Sequence, residues 1–266
     1  RVVMIEEHLI SPGLIKKPDH SSFLLREDEK ATIMINEEDH LRIQVLLPGL
    51  NFEEGWNGIN QIDDFLEGYL EYAYDDRFGY LTACPTNVGT GLRVSAMVHI
   101  PCLSMIGHVD DMIRGFNKIG LTVRGIYGEG TEAAGDLYQI SNQVTLGEDE
   151  EEIIRKLKNV IYQIINKERY VRDDLLKKKR YEIEDKIFRS YGLLKYARKI
   201  SSKEAMKHLS NVRLGKEMGI IKDMEFKQIE SLMIEIQPGS IQRIFKRELD
   251  DNERDIMRAK HIREKI

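Results

Sequence analysis

The sequence predicts an α+β protein, an antiparallel sheet flanked by helices and followed by a small all-helical domain. Three observations carry that expectation. Short apolar runs separated by polar turns fill residues 21–47, the pattern of consecutive antiparallel strands. Apolar residues at helical spacing follow over residues 51–74. After Arg180 strand-like runs largely disappear, charge density rises, and short helical segments continue to Ile266.

Taken in order, Val2 to Ile10 reads as a helix. Phe23-Leu24-Leu25, Thr32 to Ile35 and Arg42 to Leu47 read as strands, with Glu27-Asp28-Glu29 as one of the turns between them. Phe52, Trp56, Ile59, Ile62, Phe65, Leu66, Tyr69 and Leu70 form the apolar stripe of an amphipathic helix. Strands are expected at Tyr80 to Ala83 and Leu92 to Ile100, then a helix from Gly107 to Ile119 that Gly120 stops. Leu121 to Ile126 and Leu137 to Leu146 read as strands around a glycine-rich loop, and Asp149 to Leu176 as one long charged helix. Lys177-Lys178-Lys179-Arg180 marks the expected junction, giving a catalytic domain over 1–175 and a helical domain over 176–266.

At 266 residues the chain can bury a full core. Its formal charge of −5 argues against general nucleic-acid binding. No apolar run approaches the roughly 18 residues that span a bilayer, and no signal-peptide pattern opens the sequence. Cys84 and Cys102 are the only cysteines, without CxxC or His/Cys spacing, so neither a zinc site nor a disulfide scaffold is expected. A reducing cytoplasmic compartment is the simplest setting. The first residue is Arg1 and a helix is already under way, so the N-terminal part of a longer protein is expected to precede it.

Three motifs carry chemistry. Asn36-Glu37-Glu38-Asp39-His40-Leu41-Arg42 packs three carboxylates, a histidine and an arginine behind the apolar Ile33-Met34-Ile35. On its own, Glu-Glu-Asp reads as a solvated turn. Cys84-Pro85-Thr86-Asn87-Val88-Gly89-Thr90-Gly91-Leu92-Arg93 sets a cysteine, a proline and two glycines between strand-like segments. Arg124-Gly125-Ile126-Tyr127-Gly128-Glu129-Gly130-Thr131-Glu132 is a glycine-rich loop with an arginine and acids. A lone cysteine is by default a small buried apolar residue, and glycines alone are weak evidence. Cys102 falls in none of these runs and reads as core.

Together these runs resemble the active-site signatures of the phosphagen kinases, the ATP:guanidino phosphotransferases, whose catalytic domain is glutamine synthetase-like. The resemblance implies transfer of the γ-phosphoryl group of ATP to a guanidinium nitrogen, with Mg²⁺ bound through the nucleotide. It makes Glu38 the catalytic base and guanidinium clamp, Glu129 the second substrate carboxylate, and Cys84 the thiolate beside the guanidinium. It assigns the nucleotide to His8, Arg42, Arg93, Val94, Ser95, Ala96, Met97, Arg124, Gly125, Ile126, Tyr127, Gly128 and Glu129. The inventory suits the reaction. A guanidinium, with a pKa above about 12, is a poor nucleophile until a proton leaves. Carboxylates can orient its fork and accept that proton, while arginines and Mg²⁺ offset the phosphate charge. Glu37 and Asp39, on the opposite face if the strand continues, are expected in supporting roles. The family's Ser-Ser-Arg-x-Arg strand has no counterpart in this sequence. Ile126 stands where threonine is common.

Further resemblance is to the bacterial protein arginine kinases, from Glu7-His8-Leu9-Ile10-Ser11-Pro12 to Arg254-Asp255-Ile256-Met257-Arg258-Ala259. Periodicity alone makes that last run a solvated i,i+4 charge face. The resemblance makes Arg254, Asp255, Arg258 and Ala259 an allosteric phosphoarginine pocket. Gln139, at a position that is Asp in animal arginine and creatine kinases, points to a different substrate class. The implied function is phosphorylation of arginine side chains in proteins, marking them for the Clp protease system, with an activator of the McsA kind and a homodimeric state. Two alternatives stay open: a kinase of a small guanidino compound such as free arginine, and a non-catalytic phosphoarginine-binding module.

Overall fold

The computed structural model describes residues 1–16, 18–125 and 134–266. It begins with short helices α1 (Val2–Glu6) and α2 (Gly13–Lys16), then strands β1 (Ser22–Leu25), β2 (Ala31–Ile35) and β3 (Leu41–Val45). These pair as an antiparallel meander, β1-β2-β3, with Met34 opposite both Phe23 and Arg42. Helix α3 (Phe52–Glu67) follows, then a small hairpin of β4 (Tyr74–Asp75) and β5 (Gly79–Tyr80). Next come β6 (Ser95–His99), α4 (Pro101–Met105), α5 (Val109–Asn117), β7 (Leu121–Gly125) and β8 (Leu137–Asn142). The second three-stranded sheet is ordered β6-β8-β7. Helices α6 (Glu150–Lys178), α7 (Arg180–Tyr196), α8 (Ser202–Glu217), α9 (Phe226–Glu235), α10 (Pro238–Phe245) and α11 (Asp251–Lys265) complete the chain. The α+β expectation is met.

Packing divides the chain into two compact units. One comprises residues 1–96, 117–122 and 141–161, the other residues 97–116, 123–140 and 162–266. In the first, Ile10, Leu14 and Met34 form a small core against Met4, Ile5 and Phe23. Helix α3 lies on β3 through glycines, a side-chain carbon at Gly58 falling 3.9 Å from Val45. In the second, Ile187, Leu209, Val212, Ile229, Leu232, Ile236 and Ile262 are buried together. Gly215 lets α8 approach α7 closely, since a Cβ there would stand 2.5 Å from Ile187.

Several boundaries differ from expectation for local reasons. The expected strand at Tyr80–Ala83 shrinks to Gly79–Tyr80 because the chain turns into the cysteine loop. The strand expected from Leu92 begins at Ser95, because the Leu92 carbonyl and the Val94 amide bond the side chain of Asn142. An extra helix, α4, precedes the expected one. The buried Glu168 carboxylate accepts the amides of Cys102 and Leu103 at 3.1 and 2.9 Å, satisfying its first-turn donors.

Candidate active site

The acidic run is the β2–β3 hairpin connection rather than a continued strand. Asn36 enters it at φ +56°, a left-handed conformation tolerated by asparagine, and its amide bonds the His40 carbonyl at 3.0 Å. Alternation of faces therefore stops at Asn36, and the three acids take separate partners. Glu37 accepts the Ser11 hydroxyl at 2.5 Å and faces Arg42 at 3.3 Å. Asp39 accepts the Ala83 amide at 2.5 Å, and Glu38 accepts the Asn87 side-chain amide at 3.2 Å. Two motifs more than forty residues apart in sequence are thus joined by hydrogen bonds on both sides of Cys84.

Cys84 is half-buried and precedes a 3-10 turn, Pro85–Asn87, with proline at its first position, where no amide donor is needed. Its carbonyl accepts the Thr82 hydroxyl at 2.7 Å and the Asn87 amide at 3.0 Å. Its thiol lies 3.0 Å from the Thr86 hydroxyl. Gly89 is buried at φ +115°, and a Cβ would stand 2.1 Å from the Thr145 carbonyl oxygen, so only glycine fits. Cys102, by contrast, is fully buried, and burial beside Glu168 pushes its thiol up to about 12, which keeps it inert.

Arg42 on β3 is exposed, and so is Arg93, whose guanidinium donates to the Ser141 hydroxyl at 3.0 Å. Val94 and Ala96 are half-buried and Ser95 is exposed at the start of β6. His8 follows α1 at φ +59°, its carbonyl accepts the Gln44 side chain at 2.8 Å, and burial lowers its imidazole pKa. These residues share the first unit with Glu38 and Cys84. Met97, Arg124 and Gly125 belong to the second unit, Met97 exposed on β6, Arg124 half-buried and Gly125 buried on β7. Ile126, Tyr127, Gly128 and Glu129 lie outside the described residues.

The C-terminal run sits on α11, in the second unit. Arg254 donates to the Leu249 carbonyl at 2.9 Å and pairs with Asp251. Arg258 is 2 % exposed and is held by the carbonyls of Ile236 and Ile200 at 2.6 and 2.9 Å and by Asp255 at 2.6 Å. Ala259 is fully buried, a methyl in the core.

Asn142 and Thr145 carry no signal in the sequence. Asn142 splints the motif's end, accepting the Val94 amide at 2.8 Å and donating to the Leu92 carbonyl at 2.9 Å. Thr145 is its clasp on the other side, donating toward the carbonyls of Thr86 and Val88. Neither residue lies in a charged or glycine-rich run, and only their contacts reveal them.

Residues 1–171 match the family model described as ATP:guanido phosphotransferase, C-terminal catalytic domain, and residues 180–266 match the protein-arginine kinase McsB C-terminal domain. A protein-arginine kinase of Clostridium kluyveri is 51% identical over 264 residues, covering 99% of this chain and 76% of the relative. One from Halothermothrix orenii is 51% identical over 266 residues, with 100% and 76% covered. Among solved structures, a lombricine kinase is similar at TM-score 0.53 and 31% identity, over 62% of this chain and 49% of that one. The duplicated taurocyamine kinase of Schistosoma mansoni with bound transition state analog components is similar at TM-score 0.55 and 26% identity, over 63% and 24%.

Proposed function

The chain belongs to the ATP:guanido phosphotransferase family, within its protein-arginine kinase branch, and from that membership we propose that it transfers the γ-phosphoryl group of ATP to arginine side chains of proteins. The observation that best supports the assignment of residues is the junction at Cys84. There a carboxylate loop and a cysteine loop are bonded through Glu38–Asn87 and Asp39–Ala83. Exposed Arg42 and Arg93 in the same unit offer guanidinium donors suited to phosphate oxygens. A donor set of that sign fits the nucleotide, and Mg²⁺ would be held by its phosphates, offsetting their charge.

In the proposed reaction an arginine nitrogen forms the N–P bond as the bond from the γ-phosphorus to the bridging oxygen breaks, leaving ADP. The proton lost from that nitrogen goes to a Glu38 carboxylate oxygen. Glu38 also orients the guanidinium by accepting from its fork. Cys84 lies beside the planar cation and contributes electrostatics. Glu129 supplies the second carboxylate and Arg124 a further phosphate contact in this proposal. His8 and Val94 to Met97 line the nucleotide, as do Gly125 to Gly128.

The proposal takes 1–175 as the catalytic domain and 176–266 as the helical domain. It assigns phosphoarginine recognition to the α11 run. Asp255 faces the guanidino end and Arg254 the phosphate, while Arg258 and Ala259 hold the floor of the pocket, a division that follows their burial. A homodimer, a McsA-like activator and delivery to Clp proteolysis in the cytoplasm belong to the same reading, supported by the match to the McsB C-terminal model. No described helix is long and apolar enough to cross a membrane.

The test is mass spectrometry, under non-acidic conditions, of a casein-like protein mixed with free arginine after incubation with the protein and Mg-ATP. Phosphoarginine on protein side chains, with little on the free amino acid, is expected. Phosphorylation of free arginine alone would overturn the substrate class. Repeating the assay with added phosphoarginine should show activation that Asp255→Ala weakens; equal activation would remove phosphoarginine recognition from the run and leave it a packing face of α11, buried through Arg258 and Ala259.

A further inference from the structure

Thr145 follows β8, outside the charged and glycine-rich motifs, and is 8 % exposed. Its hydroxyl carries one proton, yet lies 3.0 Å from the Thr86 carbonyl oxygen and 2.8 Å from that of Val88. One shared donor therefore pins two carbonyls that bracket Asn87. Its own carbonyl accepts the Thr90 amide at 2.9 Å and lies where a Gly89 side chain would be. The residue grips the cysteine loop on both its polar faces.

What the gripped residues do next gives the contact its meaning. Thr86, held by its carbonyl, presents its hydroxyl 3.0 Å from the Cys84 sulfur. Asn87, held on either side, donates its side-chain amide to Glu38 at 3.2 Å. We infer that Thr145 is a positioning residue for arginine phosphorylation, setting the Cys84 thiol through Thr86 and the Glu38 carboxylate through Asn87. The inference rests on the kinase reading for its catalytic consequence but not for its geometry. A buried hydroxyl suits the task because it makes short, directional bonds and adds no charge beside a cationic substrate. Asn142 and Ser141 act on the neighbouring stretch, Leu92 to Val94, so the two ends of the motif are held separately.

The test compares Thr145→Val, which keeps shape and removes the hydroxyl, with Thr145→Ser, which keeps the hydroxyl; Thr145→Ala replaces the valine variant if that one does not fold. The first readout is the rate of Cys84 alkylation by iodoacetamide, with buried Cys102 as the silent internal control. The second is kcat and KM for ATP in the protein-phosphorylation assay. Thr145→Val should change the alkylation rate severalfold and lower kcat by about tenfold to a hundredfold, the penalty of slight misplacement, with KM for ATP little altered. Thr145→Ser should restore both. A Thr145→Val protein that merely melts earlier, with parental alkylation rate and kcat, overturns the inference. Should the parent phosphorylate no arginine, the kinase reading falls and the alkylation arm alone decides the positioning role.

Discussion

A single carboxylate separates the site's acids by role. Among the described residues Glu38 is exposed and bonded through a neutral amide, whereas Glu37 and Asp39 are taken up by Ser11, Arg42 and the Ala83 amide. An acid whose partner is neutral and displaceable can turn to a substrate guanidinium; one bonded to the fold cannot do so without loosening it. Glu38→Gln keeps the shape and removes the base, so kcat should fall by about 10²–10⁴. Nucleotide affinity, measured by calorimetric titration, should stay near the parent value. Near-parental turnover would remove Glu38 from the role of base.

Elements are fixed by contacts as much as by propensity. The loop that carries Cys84 has little regular structure of its own, and its shape comes from Thr145, Asn142 and two glycines with positive φ. Gly89 and Gly91 differ in a way that can be measured. At Gly89 (φ +115°) a methyl group would collide with the Thr145 carbonyl, whereas at Gly91 (φ +60°) the nearest atom is a Tyr80 carbon at 3.9 Å. Gly91→Ala should therefore cost about 1–2 kcal/mol, the ordinary penalty of a left-handed residue. Gly89→Ala should cost more and change Cys84 alkylation as well. Equal melting temperatures for the two variants in thermal denaturation would contradict this account of the loop.

At the scale of the whole molecule, the second unit contains a partly buried polar chain. The Ser210 hydroxyl donates to Asp136 at 2.7 Å and meets His99 at 2.9 Å, while Glu217 faces His99 at 3.7 Å, Arg172 at 2.6 Å and Arg213 at 3.3 Å. Burial pushes the Glu217 carboxyl up, but His99, Arg172 and Arg213 outweigh it and the net shift is downward. The folded form therefore binds this proton less readily than the unfolded chain. Its contribution to stability is complete above the ordinary glutamate value of about 4.3 and is lost as pH falls through the lowered folded value. Glu217→Gln should lower the melting temperature at neutral pH and flatten its decline in that acid interval. An unchanged acid slope in a pH series of melting curves would exclude Glu217 as its source.

The sequence by itself determined the α+β class, most strands, the long charged helix and the helical C-terminal region, because each rests on local periodicity. Its three motifs pointed to the family, because a dense cluster of acids, a cysteine with glycines and an arginine-bearing loop are legible without contacts. Only the tertiary structure decided which acid of Glu37-Glu38-Asp39 faces which partner. The chain turns at Asn36, and the partners Ser11, Ala83 and Asn87 come from other segments. Tertiary contacts also created α4, capped by Glu168 from 66 residues away, and buried Arg258 on carbonyls that no spacing rule connects to it. The physical reason is common to all of these. Buried polar groups must find partners wherever the fold brings them, and those partners are set by packing rather than by distance along the chain.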